Sequence, residues 1–258
     1  MSSLDSFHPL VLGIFIVAGF SIIIEIGYRA GRRIGGGEGL SKHPVEASVT
    51  TAILSLMAFM LGFSFAAVAS RHANRRNLVM EDSNAAGTLY LRADFLPEEH
   101  VKPTKNLIRE YVQIRAEAAK TRKVEDITPA LERCSEIQSE LWKIAVKARN
   151  QTTSTSLNLF IGSLNELIDT DAKRQNVALV NRLPAALWYT LTFLGTVAIT
   201  MIGLSSGLHG RRSRVATSAL IVSFSVVIVL IIDLDRPVRS LFKTGDHTAE
   251  RTLRSMQP

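Results

Sequence analysis

The sequence predicts an all-α membrane protein, with four transmembrane helices in two hairpins around a helical extramembrane insert. Three observations carry that expectation. Residues 6–24, 47–70, 185–210 and 215–232 are four runs free of Asp, Glu, Lys and Arg. A helix rising 1.5 Å per residue needs roughly 20 apolar residues to cross about 30 Å of hydrocarbon, and each run is close to that length. The charges are segregated outside the runs, above all in the insert at residues 71–183. A membrane β-barrel would instead need strands of about ten residues alternating in polarity. Residues 221–232 show no alternation.

The layout divides into a first hairpin (residues 1–70, spans about 6–28 and 47–70), a helical extramembrane domain (71–183), a second hairpin (184–234, spans about 185–208 and 215–232) and a basic C-terminal tail (235–258). The net charge of +7 would suggest nucleic acid in a water-soluble protein. Here basic residues flank membrane spans, where anionic headgroups and topology account for them, so no nucleic-acid partner is expected and the lipid bilayer is. Cys134 is the single cysteine, which leaves no intrachain disulfide to form. The first run is expected to be retained rather than cleaved as a signal peptide, because no Lys or Arg precedes it and Arg29, Arg32 and Arg33 follow it.

Each element has its own signals. Span one ends in Glu25 and Arg29, one turn apart and able to pair. Gly27, Gly31 and Gly35 repeat every fourth residue, which either admits a neighbouring backbone or loosens a helix end. Gly35, Gly36, Gly37 and Pro44 then bracket a loop. No proline lies between Pro44 and Pro97. One helix of about 50 residues, roughly 75 Å, is therefore expected to run from span two into the insert. Along it Asn77, Glu81, Asn84 and Thr88 share a polar face that lines a wet interior or simply meets solvent.

Further on, Pro97, Pro103, the turn at residues 126–129 and the Ser/Thr-rich residues 151–156 are expected to separate helices. Leu131, Cys134, Ile137 or Gln138, Leu141 and Ile144 or Ala145 keep a helical period, as do Leu157, Phe160, Ile161, Leu164, Leu167 and Ile168. Each apolar stripe needs a partner, so a helical bundle is expected. Pro184 opens span three, where Thr192, Thr196 and Thr200 are expected to face protein. Arg211, Arg212 and Arg214 close a hairpin so short that spans three and four are antiparallel neighbours.

No catalytic spacing stands out. The six histidines form no HExxH pattern, the glycine triplet lacks a phosphate-cradling motif, and Glu98, Glu99 and His100 are better read as a charged helix start than as metal ligands. No enzyme, metal or cofactor is expected. The remaining constellations are residues 75–97 and the carboxylates Asp233 and Asp235 beside Arg236. Carboxylates at the end of a membrane span need pairing or water. They are expected to clasp Arg71, Arg75 or Arg76 at the membrane surface, the alternative being an ion or substrate site.

On these residues the chain resembles the bestrophin-like domain family of mainly bacterial membrane proteins. The resemblance rests on LGFSFAAVASRHANRRNLVMEDSNAAGTLYLRADFLP at residues 61–97, REYVQIR from Arg109 and IIDLDRPVRS from Ile231. It implies distant kinship to bestrophins, pentameric anion channels whose second span lines the pore and continues into a helical cytosolic domain. The chain departs from that pattern in having no acidic calcium clasp in its tail and no clear hydrophobic neck motif, residues 62–65 being nearest.

Read physically, a channel asks for a narrow apolar gate and small or hydroxyl-bearing residues along its path. Thr51, Ser55, Ala58, Gly62 and Ala66, with Phe59 and Phe63 beside them, supply such a stripe on span two, although close helix packing would use the same stripe. Four spans are too few to enclose a wide conduit, so a homo-oligomeric ring is expected, passing inorganic anions past its arginines. The alternative is a non-conducting membrane sensor or scaffold whose insert binds a partner. The expected location is the cell (inner) membrane. The positive-inside rule applied to the loop arginines puts the insert outside, whereas the family resemblance and the arginines on the insert side put it in the cytoplasm, which is the reading adopted.

Overall fold

The computed structural model describes residues 8–34, 44–120, 127–151, 154–179, 183–209, 213–236 and 246–256, and every regular element among them is helical. In chain order these are α1 (Pro9–Ile34), α2 (Pro44–Arg92), a 3-10 turn (Ala93–Phe95), α3 (Glu98–Lys120), α4 (Ile127–Gln151), α5 (Thr155–Leu179), α6 (Ala185–Leu208), α7 (Arg214–Asp235) and α8 (Asp246–Ser255). They form two units, residues 1–70 with 182–236 and residues 71–181 with 237–258, and α2 contributes to both.

The first unit gathers α1, the first half of α2, α6 and α7. Its four helices are long and apolar enough to cross a bilayer. Large apolar side chains such as Ile14, Phe193 and Val215 point outward, a distribution suited to lipid rather than water. Inside, Met57, Leu61 and Val68 of α2 pack with Leu191 and Ala198 of α6 and Ile231 of α7.

The glycine repeat on α1 has a structural use. A Cβ on Gly27 would lie 2.6 Å from the Thr200 carbonyl oxygen, and one on Gly31 would strike the Leu204 carbonyl. Reciprocally, Cβ atoms on Gly203 and Gly207 would meet the Ile24 and Tyr28 carbonyls. The α1 and α6 backbones therefore touch, which in lipid replaces the missing hydrophobic drive with close packing. The expected third member, Gly35, lies outside the described residues.

The α6 threonines, expected to face protein, bond to their own helix in the subunit. Thr192, Thr196 and Thr200 donate to the carbonyls of Trp188, Thr192 and Thr196 at 2.7–2.8 Å, and the first two are exposed. Satisfied within their own helix, they need no neighbouring protein. At the next turn the Ser213 hydroxyl accepts from the Ala216 N–H at 3.4 Å and caps α7.

The second unit is a bundle of the end of α2 with α3, α4, α5 and α8. Leu89, Ile108, Tyr111, Ile137, Leu141, Phe160, Leu164 and Leu167 meet in one core, so the α4 and α5 stripes find partners in each other and in α2 and α3. Pro97 ends the long helix, with Leu96 extended at φ −78° and ψ 157° as the residue before a proline requires. Pro103 does not separate helices: it lies inside α3. Pro103 is the sixth residue of α3, so it forfeits a single backbone hydrogen bond, the one that would reach the Glu99 carbonyl, and only about one turn precedes the ring. Pro129 falls in the first turn of α4. The Ser154 hydroxyl accepts from the Leu157 N–H at 3.1 Å and starts α5.

Candidate functional site

The long helix α2 has two sides within the membrane unit. Met57, Leu61, Ser64 and Val68 are buried, while Thr51, Ser55, Phe59, Gly62, Phe63 and Ala66 are exposed. With about 100° between successive residues, Ser55, Phe59, Gly62 and Ala66 fall within roughly 60° of one another and Phe63 borders them. The uncovered side of α2 therefore carries small and hydroxyl-bearing residues with Phe59 and Phe63, and Leu56 and Phe65 are exposed on its flanks.

In the helical unit Asn77, Glu81 and Asn84 are exposed and Thr88 is half-buried. Their counterparts on the inward side, Leu78, Val79, Asp82, Ala85, Ala86 and Leu89, are buried. Of the basic residues expected at the membrane surface, Arg71 and Arg75 are half-buried and Arg76 is exposed. In the first unit Asp233 and Arg236 are buried. Asp235 accepts a hydrogen bond from the Leu183 N–H at 3.0 Å, tying the end of α7 to the start of α6.

Sequence reasoning missed a buried charge network that joins four helices of the bundle. Asp82 of α2 accepts from the Tyr111 hydroxyl at 2.7 Å and from Arg174 of α5 at 2.5 Å. Arg115 of α3 pairs with Asp171 of α5 and lies 3.9 Å from Asp82. Gln138 of α4 and Gln175 donate to Asp171 at 2.8 and 2.9 Å. Two carboxylates face two guanidinium groups, so the buried set is close to neutral, the condition under which such a network is tolerated.

Burial, reinforced by the negative charge of Asp82, holds the Tyr111 phenol well above its ordinary pKa, and it stays a proton donor. Burial alone would lower the Arg115 pKa; Tyr111 and Asp82 reverse this and keep it charged. Burial also raises the Cys134 thiol. A signal for this network was present in the sequence. Asp82, Arg115 and Asp171 continue the apolar registers of Val79 and Leu89, Ile108 and Val112, and Leu164 and Leu167, where an unpaired charge would be costly.

The tail was expected to be merely short and basic, yet it holds α8, with Ala249 and Met256 buried. The Met256 carbonyl accepts from the Tyr90 hydroxyl at 3.0 Å and from two Arg109 nitrogens at 3.0 and 2.8 Å. Lys105 lies 5.0 Å above the Tyr90 ring and pairs with Asp94 at 2.6 Å. The spacing of Ala249, Leu253 and Met256 is the helical signal for this element.

Glu99 and His100 come together with Gln151 of α4, through a 2.5 Å bond from Gln151 to Glu99 and a 3.2 Å contact from Gln151 to His100. Among the described residues no three His, Cys, Asp or Glu side chains converge on a metal-sized site.

Four apolar spans and a charged helical bundle sharing one long helix define an integral membrane protein of all-helical architecture. The chain belongs to the bestrophin-like family, whose domain model matches residues 18–245. Its fold is similar to that of a bacterial bestrophin homologue from Klebsiella pneumoniae, at 19% identity and a TM-score of 0.68 over 96% of this chain and 99% of that one. A point mutant of a Klebsiella pneumoniae bestrophin homologue gives 20% identity and a TM-score of 0.67 over 96% and 98%. No functionally curated protein matches the sequence.

Proposed function

We propose that the chain is the subunit of a homo-oligomeric ion channel in the cell (inner) membrane, with α2 lining the path and the helical unit in the cytoplasm. The observation that carries this reading is the uncovered side of α2, where Thr51, Ser55, Gly62 and Ala66 accompany Phe59 and Phe63. Small and hydroxyl-bearing residues with an aromatic narrowing suit a wettable path with an apolar gate. A ring of subunits would close that side around a symmetry axis.

Arginines border the spans at both ends, Arg29, Arg32, Arg33 and Arg214 in one set and Arg71, Arg75, Arg76 and Arg236 in the other. Positive potential there concentrates anions at the mouths, and anions are the ions we propose to pass. Purified protein in planar bilayers should give currents whose reversal potential moves with an imposed chloride gradient. Silent bilayers containing a folded oligomer would overturn the reading. A monomer or dimer in mild detergent would instead favour a non-conducting sensor or scaffold.

A further inference from the structure

The stretch of α2 inside the helical unit carries adjacent carboxylates with opposite fates. Asp82 turns inward, is 2% exposed, is neutralised by Arg174 and accepts a hydrogen bond from the Tyr111 hydroxyl. Glu81, about 100° away on the helix, is exposed. Because the buried network fixes Asp82 toward the core, it also fixes the direction in which Glu81 faces.

Glu81 lies about 40° from Asn77 and 60° from Asn84 around the helix, so these three share the outward side. The nearby cations do not. Arg76 lies about 100° from Asn77 and Arg75 about 160°. Arg92 donates to the Leu159 carbonyl at 3.1 Å and to the Ser163 hydroxyl at 2.6 Å, which commits it to α5. The outward side of this stretch therefore presents neutral amides and one carboxylate. Amides solvate either sign of ion; a carboxylate does not.

We propose that Glu81 tunes the charge preference of the path, a ring of its carboxylates, one per subunit, lowering the preference for anions that the arginines at the mouths create. This rests on the reading that α2 lines the path. A formal charge a few ångströms from a hydrated ion acts strongly at low salt and is screened within about 3 Å at 1 M, so the effect is electrostatic only if salt removes it.

The experiment compares wild type, Glu81→Gln, Glu81→Lys and Glu81→Cys in planar bilayers under a KCl gradient. Glu132→Gln, an exposed carboxylate of α4, is the control. The chloride-to-potassium permeability ratio should rise about fivefold in Glu81→Gln and further in Glu81→Lys. It should stay unchanged in the control, and the differences should shrink at 1 M salt. Cys134 is fully buried, so thiol reagents act on the new cysteine. A sulfonate-bearing reagent on Glu81→Cys should restore the wild-type ratio and an ammonium-bearing one should move it further from wild type. Conducting variants with the wild-type ratio, or reagents of opposite charge with equal effects, would overturn the role of Glu81. A wild type that passes no current would instead overturn the channel reading itself.

Discussion

At the scale of single residues, backbone contact in the membrane unit makes glycine indispensable where no flexible side chain can yield. A methyl on Gly203 would fall within 3.0 Å of the Ile24 carbonyl and close on Gly27, so Gly203→Ala must part α1 from α6. Overpacking of this kind costs about 1–3 kcal/mol. Gly203→Ala should lower the melting temperature in detergent by several degrees, whereas Gly19→Ala, with open space around its Cβ position, should leave it unchanged or raised. Equal behaviour of the two variants would refute the contact. Tyr111 gives a second prediction. Its folded pKa is raised above the unfolded value of 10.0, so the stability it contributes is whole below pH 10 and is lost as the pH rises and the unfolded phenol ionises. Thermal stability should fall above about pH 10. Tyr111→Phe should flatten that fall while costing about 1–3 kcal/mol at neutral pH, because Asp82 loses a buried donor.

At the scale of elements, the bundle shows what a linear pattern conveys. Leu157, Phe160, Leu164 and Leu167 were legible because four apolar residues at helical spacing have one physical reading, and all four are buried. Pro103 was misleading because a proline about one turn into a helix forfeits a single backbone hydrogen bond, which the packing of Ile108, Tyr111 and Val112 outweighs. The charges Asp82, Arg115 and Asp171 were legible singly, as interruptions of apolar stripes, but not as a set, because their partners come from other helices. For α8, 10 residues long, isolation would leave no stable helix, so its order depends on what holds Ala249, Leu253 and Met256. Arg109 supplies two of the bonds to the Met256 carbonyl. Arg109→Ala should therefore free α8 and open its backbone to trypsin at the already exposed Arg251 and Arg254, with α3, α4 and α5 still protected. Cleavage no faster than in wild type would show that apolar contact alone secures the helix.

At the scale of the whole molecule, the family fixes the fold, while the ring and its path rest on which side of α2 stays uncovered. That side can be tested by phase rather than by position. Phe63 lies about 40° from Phe59 around the helix, whereas Phe65 lies about 120° away on a different flank. All three are exposed in the subunit, so the test compares two flanks of one helix. If α2 lines a path, Phe59 and Phe63 narrow it and Phe65 does not. An apolar narrowing resists wetting, so shrinking the side chain should admit water and ions. Phe63→Ala should raise single-channel conductance severalfold, and Phe65→Ala should leave it within the spread of the wild type. Equal effects from both would mean that the helix touches the conducting space with no preferred face. A larger effect at Phe65 would rotate α2 by about a third of a turn, bringing Ala58, about 20° from Phe65, onto the path in place of Ser55 and Ala66.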